Sequence, residues 1–296
     1  QGHPNGANLE GSFRLFAKGN SDKGTWTAKP VALPSIVEIA AGNPSFSTLV
    51  GAVQAAGLVD ALSGPGPFTV FAPTNDAFAK LSALPGGEAL KSVLLYHVLA
   101  GAYPASILTH LKQAATLQGA GIKVEVKDGA VILNGSVKVI AADILASNGV
   151  IHVIDTVLIP PPTIADIAAA NPNFSTLVTA LVATGLDKAV ADPKARLTVF
   201  APTNAAFEAL KTALGGTLPG GDALKSVLLY HVAGKPYTAK QLARRDTVKT
   251  LQGSEIGIDA VEGIVLNEKV KVTAADIEAG NGIIHVIDAV LIPSGH

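Results

Sequence analysis

The sequence predicts two tandem α+β domains, and three observations carry that reading: a repeat of domain length, a change of hydrophobic period inside each copy, and a proline connector between the copies. TVFAPTNDAF at 69–78 returns as TVFAPTNAAF at 198–207, and ALKSVLLYHV at 89–98 recurs unchanged at 223–232. AADILASNGVIHVIDTVLIP at 141–160 recurs as AADIEAGNGIIHVIDAVLIP at 274–293. A period of about 130 residues is too long for a solenoid unit and fits a whole domain. The first domain is expected over 35–160 and the second over 163–296, with the connector at 161–162 inside Pro160-Pro161-Pro162. Three prolines make a short, stiff spacer that holds two domains at a set separation. Residues 1–34 have no counterpart in the second copy and read as an N-terminal tail, with Phe13, Leu15, Phe16 and Trp26 as its apolar points.

Within each copy the first third reads as helix. Ile36, Ile39 and Ala40, then Phe46, Leu49, Val50 and Val53, recur at three-to-four-residue spacing, and Asn43-Pro44 stops one helix and starts the next. TVF at 69–71 is a short strand, after which Pro73-Thr74-Asn75 supplies turn and cap chemistry for a helix carrying Phe78 and Leu81. A further helix is expected over 90–98. The last third reads as sheet, with β-rich runs at 122–126, 130–133, 137–141 and 150–159. Asn134-Gly135 is a strong hairpin signal; the second copy has Asn267-Glu268 there, which keeps the turn and loses the glycine. Helix first and sheet last is the α+β pattern.

Composition narrows the function classes. Twenty-two basic against 23 acidic residues leave a formal charge of −1, which gives no field to draw in nucleic acid. No apolar run is long enough for a transmembrane helix. Cysteine is absent, so disulfides, thiolate metal sites and a cysteine nucleophile are excluded. The chain starts at Gln1 and contains no methionine, which predicts a removed leader and an extracellular, periplasmic or cell-surface location.

The chemistry-bearing residues that recur are Tyr96-His97 with Tyr230-His231, and His152 with His285. On a helix, His97 falls on the stripe of Leu90, Val93 and Leu94, so its imidazole is expected to face inward and to need a hydrogen-bond partner. His152 and His285 lie in strands that are apolar on both faces and read as structural. No HExxH spacing or carboxylate cluster completes a metal site, no G-x-S-x-G elbow occurs, and no glycine-rich loop has phosphate-binding spacing. Asp143 and Asp276 precede the turns at Asn148-Gly149 and Asn281-Gly282, where their default work is turn or cap hydrogen bonding. Asn134-Gly135-Ser136 and Asn173-Phe174-Ser175 fit the N-glycosylation pattern.

TVFAPTNDAF, then YHV, then NGVIHVIDTVL resembles the fasciclin (FAS1) domain, and both copies show all three blocks. The resemblance implies that each domain is a β-wedge of two small sheets packed with several helices. It further implies a secreted or surface-attached adhesion module without catalytic activity or cofactor, whose partners are extracellular matrix, cell-surface protein or glycan. In some animal members a tyrosine-histidine segment and an Asp-Ile pair have been linked to integrin binding. On this chain those positions are Tyr96, His97, Asp143 and Ile144, then Tyr230, His231, Asp276 and Ile277. Both Asp-Ile pairs here follow Ala-Ala, and no Arg-Gly-Asp occurs. The alternative partner is a small hydrophobic ligand, such as a carotenoid or lipid, between helices and sheet; an unrecognised hydrolase is the third reading.

Overall fold

The computed structural model describes residues 32–293 in full and, before them, the backbone alone of β1 (Leu9–Ala17) and β2 (Asn20–Ala28). These two strands pair antiparallel as a separate two-stranded sheet. Where Phe13, Leu15, Phe16 and Trp26 pack lies outside the described residues.

Ser35 opens the first domain with a capping box: its hydroxyl accepts the Glu38 N–H, and the Glu38 carboxylate accepts the Ser35 N–H. Thr163 and Asp166 repeat the device in the second copy. The helix so started, α1 (Ile36–Ala41), gives way at Asn43 to a 3-10 turn, Pro44–Phe46, and then to α2 (Ser47–Ala55) and α3 (Val59–Ser63). β3 (Phe68–Pro73) follows, and Thr74 caps α4 (Asn75–Ala79). Next come α5 (Gly87–Tyr96), β4 (Val98–Ala100), α6 (Ala105–Leu108) and β5 (Gln113–Ala115). The domain ends in β6 (Gly121–Lys127), β7 (Ala130–Leu133), β8 (Val137–Ala146) and β9 (Gly149–Ile154).

The seven strands form one sheet in the order β4-β3-β9-β8-β7-β6-β5. β3 and β9 form a parallel pair next to the β4 edge, with Phe68 opposite Gly149 and Phe71 opposite His152. One core lies between the helices and these strands and includes Ile36, Phe46, Leu49, Leu94 and Ile151. The other gathers Phe71 of β3 and Ile154 of β9 with Ile122, Val124 and Leu133 of β6 and β7. Strands several places apart meet in that core only because the sheet folds over on itself, which is the wedge.

The second domain repeats this plan. Its helices are α7 (Ile164–Ala170), α8 (Ser175–Thr184), α9 (Asp187–Ala191), α10 (Asn204–Ala213), α11 (Gly221–Tyr230) and α12 (Ala239–Leu242). Its strands are β10 (Leu197–Pro202), β11 (Val232–Ala233), β12 (Thr247–Lys249), β13 (Glu255–Asp259), β14 (Val265–Leu266), β15 (Val270–Ala279) and β16 (Gly282–Ile287). They run in the matching order β11-β10-β16-β15-β14-β13-β12. Between the copies, the Arg196 guanidinium donates to the Gly119 carbonyl at 2.7 Å.

Local patterning and structure differ at four places. The helix expected to carry Leu81 as well as Phe78 ends at Ala79. The helix expected over 90–98 stops at Tyr96, because Val98 is drawn into a strand opposite Val70; His97 becomes the C-cap. The strand expected over 150–159 ends at Ile154. The strand expected to stop at 141 instead continues to Ala146, through register shifts either side of Ala141. Such bulges kink a strand and re-aim its side chains.

Candidate functional site

The recurring Tyr-His pair sits where α5 ends, at the junction of the two cores. Tyr96 is 1% exposed and His97 2%; Tyr230 and His231 are 2% and 1%. Leu158 N–H donates to His97 Nε2 at 3.0 Å, so that nitrogen is the acceptor and the ring proton is on Nδ1, which donates to the Val93 carbonyl at 2.8 Å. His231 does the same between Leu291 N–H, at 2.9 Å, and the Val227 carbonyl, at 2.7 Å. Burial pushes both imidazoles down to about 4, against a smaller upward pull from the carbonyl bond. The Tyr96 hydroxyl donates to the Gly121 carbonyl and accepts from Asn134 Nδ2, and Tyr230 is held likewise by the Glu255 carbonyl and Asn267. Burial raises the Tyr96 phenol.

His152 has the opposite tautomer. Its Nδ1 accepts from the Asp143 N–H at 3.3 Å, and its Nε2 donates to the Tyr103 carbonyl at 2.9 Å. His285 repeats this between Asp276 N–H and the Tyr237 carbonyl. Burial lowers both imidazoles, opposed by the carbonyl bond and by the charge of Asp143 or Asp276. All four recurrent histidines therefore use both ring nitrogens on the backbone. None offers a free lone pair to a metal or a proton relay. Among the described residues, no three His, Asp or Glu side chains converge as a metal site, and no buried side-chain nitrogen or oxygen lacks a partner.

Asp143 and Asp276 lie at the bulges of β8 and β15 with left-handed backbones, φ 60° and 58°. Each carboxylate accepts the first N–H of a short helix: Asp143 from Ala105 at 2.8 Å, Asp276 from Ala239 at 2.7 Å. The bulge thus ties β8 to α6, or β15 to α12, and leaves the aspartate exposed. The neighbouring Ile144 and Ile277 are half-buried against the helix-side cores. Beyond them the copies part. Leu145 is 61% exposed, and the equivalent exposed position holds Glu278. Of the two glycosylation sequons, Asn134 has both side-chain ends engaged, by Lys123 N–H and the Tyr96 hydroxyl, whereas Asn173 is exposed.

Three further features escaped sequence reasoning. Asn148 and Asn281 each accept the first N–H of the opening helix and donate to two carbonyls at the end of the third, those of Leu62 and Gly64 or of Val190 and Asp192. Thr69 and Thr198 are wholly buried, each bridging a carbonyl and an N–H of the loop after β4 or β11. The signal for both was their place in recurring blocks, but it carried no partner. Third, an apolar cavity of about 100 Å³ lies among α1, α2 and α3, where the second domain encloses about 10 Å³.

These features define a two-domain α+β protein built on a duplicated, folded-over sheet whose recurrent polar residues are committed to holding loops. The chain belongs to the fasciclin family: a family model of the fasciclin domain matches residues 44–160 and 172–293. It is 53% identical over 135 residues to protein sll1483 of Synechocystis, covering 43% of this chain and 74% of that protein. It is 34% identical to mouse stabilin-2 over 76% of this chain and 10% of that one, and 32% identical to the pig transforming growth factor-beta-induced protein ig-h3 over 88% and 38%. A FAS1 domain pair from the insect cell adhesion molecule fasciclin I covers 85% of this chain and 98% of its own, at 21% identity and a TM-score of 0.39.

Proposed function

We propose that this chain is a non-catalytic extracellular or cell-surface adhesion module that contacts protein or glycan through the outer faces of β8 and β15. One observation carries the reading. The residues the copies share at the bulge hold the fold, whereas the exposed position two residues on differs, Leu145 against Glu278. Asp143, Ile144, Asp276 and Ile277 then form the contact rim, held from behind by His152 and His285, while the buried Tyr96, His97, Tyr230 and His231 serve the fold elsewhere. An apolar face and an acidic face on one chain suit two different patches of a matrix or surface partner. The connector favours joint use, because two weak contacts at fixed spacing gain in avidity.

The experiment is binding of the intact chain, of each domain alone, and of Leu145→Glu to immobilised matrix proteins and glycans. The intact chain should bind at least about tenfold more tightly than either domain, and Leu145→Glu should weaken binding without shifting the thermal midpoint. Equal binding by a single domain removes the avidity argument. Turnover of generic ester or glycoside substrates by the purified chain overturns the non-catalytic reading.

A further inference from the structure

The two domains form an internal comparison for the cavity among the opening helices. Counting from Asn43-Pro44 and Asn171-Pro172, the copies stay in step through this region: Leu58 N–H bonds to the Val53 carbonyl as Leu186 N–H bonds to that of Leu181. Much of the lining is therefore matched, with Phe46 and Leu49 answering to Phe174 and Leu177. Five lining positions differ: Val53 of the first domain is Leu181 in the second, one methylene longer, whereas Val37 and Leu62 are the smaller Ala165 and Val190, half-buried Val59 is Asp187, and exposed Gln54 is Val182. The lining side chains of the first domain are together no smaller, so the space of about 100 Å³ left there, against about 10 Å³ in the second domain, reflects how they pack, with Val53 short where Leu181 is long.

The open cavity has nothing to hold water. Of its polar lining residues, His97 has both nitrogens bonded to backbone, and Gln54 is an exposed side chain at the mouth. A buried water needs two to four polar partners, whereas apolar cavities of roughly 150 Å³ stay dry and take benzene or xenon. From this we infer that the first domain, and not the second, binds a small apolar molecule, a single ring or the end of an alkyl chain, in the cavity among α1, α2 and α3. A cavity of about 100 Å³ encloses that much and no more, so a long guest such as a carotenoid lies mostly outside the mouth. The site is separate from the faces of β8 and β15, so its failure leaves the adhesion reading untouched.

The test is a methyl NMR titration of the full chain with benzene and, separately, octan-1-ol. Resonances of Val53, Val70 and Ile151 should shift while their counterparts Leu181, Val199 and Ile284 stay in place. Stronger binding of benzene identifies a ring as the guest and stronger binding of octan-1-ol a chain end; either supports the site. Val53→Leu places in the first domain the residue its sister carries, and should weaken binding at least tenfold. No movement of the first-domain methyls near the solubility limit, equal movement in both domains, or full affinity in Val53→Leu overturns the inference. The comparison of domains within the unaltered chain stands whether or not the variant folds.

Discussion

At the scale of single residues, the strongest consequence concerns His97 and His231. Each is neutral because protonation would add a second donor where Nε2 must accept from the chain, and burial has pushed it down to about 4. An unfolded histidine titrates near 6.5, so the unfolded chain binds more protons between those values and is favoured as pH falls. Stability should be complete above about pH 6.5 and decline down to about pH 4, with no further loss from these groups below that. The order of magnitude is about 3 kcal/mol per domain, read as a fall in the thermal midpoint of both domains across that window. A midpoint unchanged from pH 7 to 4 would refute it. The inward position of His97 was legible from the leucine and valine stripe. Its partner at Leu158 was not, because a bond across 61 residues leaves no local trace.

At the scale of elements, turns were legible and parallel neighbours were not. Asn134-Gly135 announced a hairpin because both residues must take positive φ, and they do, at 50° and 77°. The second copy keeps the turn with Glu268 at φ 62°, a conformation that is costly for a residue with a Cβ. Glu268→Gly should therefore raise the stability of the second domain by about 1 kcal/mol, and Gly135→Glu should lower that of the first by a similar amount. Urea unfolding of each variant reads this directly, and a destabilised Glu268→Gly sinks the argument. The pairing of β3 with β9 has no turn to announce it, since parallel strands are joined only through long crossovers. The end of α5 was misplaced for a related reason: the pull of β3 on Val98 is a tertiary contact overriding a helical pattern.

At the scale of the whole molecule, the repeat was legible because ten identical residues in matching places need no structural knowledge to find. The cavity was invisible, since Val53 and Leu62 answer to Leu181 and Val190 with the same total side-chain volume, and only packing decides which domain keeps the open space. The parallel pair in each sheet has one more consequence, in time rather than space. Phe68 waits for Gly149, and Leu197 for Gly282, so neither domain can close until its last strand exists. During synthesis the first domain meets its own closing strand long before its near-copy at 282–287 has been made. A denatured chain returned to native conditions offers both closing strands at once, and the wrong one fits almost as well. Refolding of the tandem from urea should therefore trap a fraction with exchanged strands, seen as slow phases or dimers that separately refolded domains lack. Matching yields for tandem and separated domains would show that the few differences between the copies are enough to keep each strand at home.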